Sequence, residues 1–314
     1  MLRTLRNDRI AALIILIAGA LGLALANSVA GFESSIEPAH HYAELLLALF
    51  FFVIGLELKG ELTHGVFVKR RTLLIPGLAA IFGALIPAGL YFIVTSSDPV
   101  ARSGWAIPMA TDITFALAIF AIFGSRMPKG SKQFLLAFAI IDDLLAILVI
   151  AIFLQTDVAT ALMVTGSAIV GLLVPAGFTE KLKDALLPLV NLIVLPLYAF
   201  TSLSIHLETS VFAAVTSLVG VGILLRIIGK VSGITLGAYL GSKLTKNALP
   251  ISVYARLSVL GGIGFAVAFF VNDLVFGEQD EFHTQAIMGL LIAGLISAAI
   301  ASITLRRGLK PKNR

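Results

Sequence analysis

Two aspartates, Asp142 and Asp143, stand side by side inside an apolar run that extends from residue 134 to residue 154. Carboxylates can hold protons, hard cations or an ammonium group. The run is about the length needed to cross a bilayer. A carboxylate near its centre costs a few kcal/mol on insertion scales, and two in succession roughly double the problem. One reading is a short helix of a soluble core with its acids at one end. The apolar flanks of about two turns each favour the other reading, an ion or proton site within a membrane. Successive helical residues point about 100° apart, so the two side chains cannot share a direction. One can face an aqueous cavity while the other reaches a neighbouring helix.

Composition supports the membrane. The 314 residues are 58% hydrophobic and 13% charged, with a mean hydropathy of +1.01. Soluble domains carry about twice that charged fraction. There is no cysteine, which excludes disulfides, thiolate metal sites and a cysteine nucleophile. The net charge of +5 does not point to nucleic acid, because the basic residues sit in short connections between apolar runs.

Those runs predict about ten spans, at 10–27, 43–58, 73–94, 105–123, 134–154, 158–174, 186–203, 211–240, 253–276 and 286–305. The first follows Arg3, Arg6 and Arg9 and ends near an Ala-Leu-Ala cleavage-like triplet at 24–26. Its core exceeds the usual signal length of about 7–15 residues, so an uncleaved helix with its N-terminus inside is expected. Connection charges agree with this count. Lys69, Arg70 and Arg71, Arg126, Lys129 and Lys132, Lys181 and Lys183, and Lys243, Lys246 and Arg256 fall on one side. The tail adds Arg306, Arg307, Lys310, Lys312 and Arg314 to that side. The other side holds Glu33, Glu37, Asp98, Asp157, Glu208, Glu278, Asp280 and Glu281, with Arg102 as its basic exception. The bias places both termini in the cytoplasm.

An internal repeat follows. Residues 112–120 (DITFALAIF) parallel residues 262–270 (GIGFAVAFF), with isoleucine, phenylalanine, two alanines and a final phenylalanine coinciding. The surrounding three-span blocks, approximately 73–155 and 211–305, begin on opposite sides of the membrane. That is an inverted repeat, a plan many secondary transporters use. Cap-type Thr111-Asp112-Ile113-Thr114 and glycine-rich Gly261-Gly262-Ile263-Gly264 predict helices broken at mid-membrane. Broken ends need negative charge at their N-termini and positive charge at their C-termini. Asp112 suits the first need and Lys230 the second. Lys230 lies about 20 Å along a helix from the basic boundary at Lys243, farther than a lysine stem reaches by snorkelling. The sequence assigns no role to Arg226.

By these residues the chain resembles the NhaA-type bacterial sodium/proton antiporters. The resemblance rests on residues 51–62 (FFVIGLELKGEL), 104–117 (GWAIPMATDITFAL), the aspartate run 134–146, 229–233 (GKVSG) and 261–265 (GGIGF). It implies an all-α polytopic membrane protein, a single transporter domain over 1–314. It also implies that about sixty residues, the family's sixth and seventh helices, are absent after residue 155. The first outer connection, 28–42, lacks room for the β-hairpin that one member uses to dimerise, although a homodimer stays a candidate assembly. A histidine that some members carry in the eighth helix is absent as well.

The resemblance implies Asp143 as principal cation ligand and Asp142 as partner of Lys230 when sodium is absent, with Thr111 adding an oxygen. It places Glu57 and Glu61, which share a helix face, in a cytoplasmic funnel and pH response. Interfacial carboxylates beside Lys59 remain an equal alternative for them. His40, His41, His64, His206 and His283 fall near span ends and read as interfacial, without metal-site spacing. The expected function is exchange of Na+, and of Li+ as a further candidate, for external H+ across the bacterial inner membrane. No cofactor, nucleic acid or covalent chemistry is implied. A sodium-coupled symporter on the same plan and a transport-inactive scaffold are the alternatives. Sodium that moves protons without an organic substrate separates antiport from symport, and the intact charges argue against the scaffold.

Overall fold

A backbone surrounded by lipid must close its hydrogen bonds on itself, and helices do so within each segment. The computed structural model describes residues 2–63, 73–153, 158–207, 211–245, 248–277 and 281–306, which contain helices and no strand. Lys69, Arg70, Arg71, His64, Asp157, Glu208, Lys246, Glu278, Asp280, Arg307, Lys310, Lys312 and Arg314 lie outside the described residues.

The chain opens with α1 (Leu2–Ser28), α2 (Phe32–Thr63) and α3 (Leu74–Val94). A short α4 (Pro99–Ser103) runs through a 3-10 turn, Gly104–Met109, to α5 (Ile113–Phe123). Then come α6 (Ser131–Phe153), α7 (Val158–Leu173) and α8 (Ala176–Leu189), the last joined through a π-helical turn, Val190–Val194, to α9 (Leu195–Ser202). The second half holds α10 (Val211–Thr216), α11 (Leu218–Leu224), α12 (Arg226–Lys243) and α13 (Ile251–Ser258). A 3-10 turn, Val259–Gly262, leads to α14 (Ala266–Phe276), and α15 (Glu281–Arg306) closes the chain. Six helical stretches are long and apolar enough to cross a bilayer: Arg9–Ser28, Leu74–Val94, Ser131–Phe153, Ala176–Ser202, Leu218–Lys243 and Glu281–Arg306. Two bent pairs raise the number to eight if each is one span.

Two sequence boundaries move. Residues 32–42, read as a connection, form the first turns of α2, despite Pro38 inside the helix. A proline there removes one backbone hydrogen bond. Burial of His40, Ala43 and Leu47 against the bundle offsets that loss. The run 211–240 is divided at Ser217, whose hydroxyl accepts from the Gly220 N–H as an N-cap (3.0 Å); a serine N-cap starts a new helix.

The closest helix packing places the chemistry. Gly229, Gly233, Gly237 and Gly241 recur every fourth residue along one face of α12, and that face lies on α3. A Cβ at Gly233 would stand 2.3 Å from the Phe82 carbonyl oxygen, and one at Gly237 would stand 2.2 Å from that of Leu78. Small residues let backbones approach in a membrane, where packing replaces hydrophobic exclusion as the driving force. The α2–α7 contact is built alike, with Gly55 against the Ala168 carbonyl and Gly171 against that of Phe52. Gly237→Leu puts a side chain where the Leu78 carbonyl stands. It is expected to lower the melting temperature of the solubilised protein, at a cost of about 1–3 kcal/mol. Gly166→Leu, at a position with nothing within 4 Å, is the control expected to change little in the same melt.

Candidate ion-binding site at two crossed broken helices

The two bent pairs meet at their breaks. Pro99–Met109 and Thr114–Arg126 are bent by 46°, and Ile251–Gly262 and Ala266–Phe276 by 50°. In the first, Ala110 and Asp112 are extended; in the second, so is Ile263. The extended backbones bond across the crossing. The Asp112 N–H donates to the Ile263 carbonyl (2.9 Å), and the Thr111 hydroxyl donates to the Gly261 carbonyl (3.2 Å). All four residues are buried.

Asp112 closes both helix starts with one carboxylate. Its Oδ1 accepts from the Thr114 and Phe115 N–H groups (3.0 and 3.3 Å), capping α5. Its Oδ2 accepts from the Ala266 N–H (3.3 Å) at the start of α14. The first N–H groups of a helix have no partner within it and carry partial positive charge, so one anion serves two ends.

Arg226 serves the opposite polarity, a role the sequence did not assign to it. Its fully buried guanidinium donates to the Ala110 carbonyl, where the first half-helix ends. Gly264 makes the room: a Cβ there would stand 2.2 Å from Nη1 of Arg226. Lys230, expected at such a carbonyl end, is placed elsewhere. Its Nζ lies 3.1 Å from both carboxylate oxygens of Asp142, with the two side chains 0% and 2% exposed. Arg226 and Lys230 are one turn apart on α12, so the glycine-faced helix delivers one cation to the crossing and the other to α6. The available signal was the arginine itself, an always-charged group in an apolar run facing a glycine-rich break.

Asp143 is buried on a different direction of α6. Its charged neighbours are Asp142, Glu57, Asp112 and Lys230, and its carboxylate accepts no hydrogen bond among the described residues. The fold therefore gathers Asp112, Asp142, Asp143, Lys230 and Thr111 around one crossing, with Glu57 in electrostatic range. Glu61 lies one turn farther along α2, part-buried, where Gly60 faces the Glu180 carboxylate of α8. Glu180 in turn pairs with Lys183 at 2.8 Å.

The histidines divide. His41 and His206 are exposed. His40 and His283 are 4% and 2% exposed, buried within the protein beside Asp273 of α14. Residues 40, 273 and 283 are too far apart in sequence for spacing to reveal this.

The model of the family described as Na+/H+ antiporter 1 matches residues 3–179 and 169–305, nearly the whole chain. The chain belongs to this family. A Na(+)/H(+) antiporter NhaA of Cronobacter sakazakii is 36% identical over 85% of this chain and 82% of the relative. Those of Vibrio campbellii and Vibrio alginolyticus are 34% and 33% identical, each over 96% of this chain and 93% and 95% of the relative. The Vibrio campbellii alignment runs to 365 positions against a chain of 314 residues, so that family member carries residues absent here. The two matched parts of the family model overlap at 169–179, across the end of α7 and the start of α8.

A buried ion pair is costly to break from one side only. Asp142→Asn or Lys230→Met alone strands one charge and is expected to cost about 3–5 kcal/mol. The double variant is expected to recover most of that loss. Thermal melts of the three solubilised variants measure the recovery; equal, additive losses would count against a coupled pair.

Proposed function

We propose that the chain is a secondary active sodium/proton antiporter, not an enzyme, working by alternating access in the bacterial inner membrane. The observation that carries this reading is the buried Asp142–Lys230 pair beside Asp143, whose carboxylate accepts no hydrogen bond among the described residues, at the crossing of two broken helices. The relatives, themselves Na(+)/H(+) antiporters by name, support it. They do not favour a sodium-coupled symporter or an inactive scaffold.

In this reading Asp143 is the principal ligand of Na+, a hard cation that seeks oxygen. Asp142 joins it when it lets go of Lys230, and Thr111 adds a hydroxyl oxygen. Sodium and protons then compete for the same carboxylates. When the carboxylates take protons the cation leaves, and when the cation binds the protons leave, which makes the exchange obligatory. Asp112 and Arg226 hold the broken ends, while Asp112 and Lys230 couple the proton step to the neighbouring Asp142 and Asp143. Glu57 and Glu61 line the cytoplasmic approach and feed the pH response. Li+ is a second cargo, the bilayer is the surrounding partner, and a homodimer is the candidate assembly. No resident cofactor is required; contribution to sodium and pH homeostasis follows from the exchange.

The membrane path of this proposal has ten crossings: the six long stretches, the two bent pairs, α2 and the 16-residue α7. Both termini are then cytoplasmic. One domain covers 1–314, with inverted repeats at approximately 73–155 and 211–305; the similar bends at 110–112 and 263–265 support that symmetry. The overlap of the family match at 169–179 and the longer relatives support a segment missing from the middle of this chain.

The test is proton flux in sealed vesicles containing the purified protein, driven by sodium, lithium or potassium. Sodium and lithium are expected to move protons without an organic solute, and Asp143→Asn to fall to the level of empty vesicles. Unimpaired exchange in Asp143→Asn would sink the site, and a requirement for an organic anion would establish the symporter.

A further inference from the structure

Away from the crossing, the described residues hold one further grouping of histidine and carboxylate side chains close enough to share an ion. His40 and Glu44 stand one turn apart on α2, facing Asp273 near the end of α14, and one ligand atom from each lies within 4.8 Å of the others. His40 Nε2 is 3.8 Å from Oε1 of Glu44 and 3.7 Å from Oδ2 of Asp273. We propose that these three residues form a regulatory site for a divalent transition metal, with zinc as the fitting ion, that ties α2 to the second broken helix.

The donor set selects the metal. An imidazole nitrogen and carboxylate oxygens are donors that zinc takes, with water as the fourth ligand of an open site. Sodium, lithium and magnesium prefer all-oxygen surroundings, and imidazole suits the later first-row metals. This separates the site from the one for the transported cation. Zinc at about 2.0–2.1 Å from each donor sets neighbouring donors about 3.3 Å apart. Gaps of 3.7 and 3.8 Å therefore close with a small movement of two side chains.

The surroundings are those of a prepared ligand. Asp273 is held by two further groups: His283 Nε2 lies 2.7 Å from its Oδ1, and the Tyr198 hydroxyl donates to its Oδ2 at 2.5 Å. Outer partners of this kind fix the orientation of a metal-binding carboxylate. The side chains of His40, Asp273 and His283 are 3–5% exposed, whereas that of Glu44 is 22% exposed beside the open His41. Glu44 is thus the side from which an ion arrives. On the proposed topology that side is the outer face.

The consequence for transport rests on the antiport reading. Asp112 holds the first residue of α14 to the first broken helix, and the metal would hold the far end of α14 to α2, so a bound ion would fix this half-helix at both extremes. A pinned half-helix cannot change exposure, and transport stops.

Two measurements decide the matter separately. Equilibrium dialysis of the solubilised full chain against zinc is expected to show one equivalent bound, weakened at least tenfold in His40→Gln and Glu44→Gln. Cobalt in place of zinc is expected to give the visible absorption of a four-coordinate ion. Absence of one-equivalent binding, or binding in both variants as tight as in the unaltered chain, overturns the proposal whatever the transport result. Zinc added outside vesicles is expected to suppress sodium-driven proton flux, scored against each variant's own zinc-free rate, and to spare His40→Gln. One bound zinc with undiminished flux overturns the regulatory role. Absence of all sodium-driven flux without zinc is a failure of the antiport reading and leaves dialysis to decide the site. Should Asp273→Asn fail to fold, the two α2 variants carry the test.

Discussion

Two broken helices that cross at their breaks leave four ends where backbone groups lack partners, and everything around the crossing answers to that constraint. Buried as they are, those groups need partners within the protein. The chain meets the demand with few charges. Asp112 closes two helix starts at once, and Arg226 closes a carbonyl end. The two extended breaks bond to each other through the Asp112 N–H and the Thr111 hydroxyl. With the ends closed by these groups, the Asp142–Lys230 pair and Asp143 stand beside the crossing without serving as caps.

Positioning those groups falls to a helix that has almost no side chains on its contact face. The four-residue glycine spacing of α12 lets it lie against the α3 carbonyls. Arg226 and Lys230 then project at fixed heights, one toward Ala110 and the other toward Asp142. A single added methyl group would have to displace backbone, which is why a contact of this kind is stiff enough to hold two buried cations in register. The second ionisable cluster obeys the same logic at the end of the bundle. Asp273 is buried with histidine and tyrosine partners near the ends of three helices.

Much was legible beforehand because lipid imposes a strong code. Long apolar runs, the alternation of basic and acidic connections and the aspartates at mid-span are each visible in a single strand of letters. The breaks at 110–112 and 263–265 were legible too, since cap residues and clustered glycines interrupt a helix for local reasons. Less visible was the helical start of α2 through Pro38, because one lost backbone bond is outweighed by burial that depends on distant helices. The roles of Arg226 and of the His40–Asp273–His283 group were hidden for the same reason.

The sequence by itself determined the helical class, the membrane setting, the family and the identity of the charged groups within the spans. Those follow from composition, periodicity and local chemistry, which act over a few residues. Only the tertiary structure decided which charge meets which. Lys230 reaches Asp142 across 88 residues, Arg226 reaches Ala110 across 116, and Asp112 caps a helix that begins 154 residues later. Such pairings depend on how close two backbones can come and at what angle they cross. Packing settles those quantities, and no local rule of sequence contains them.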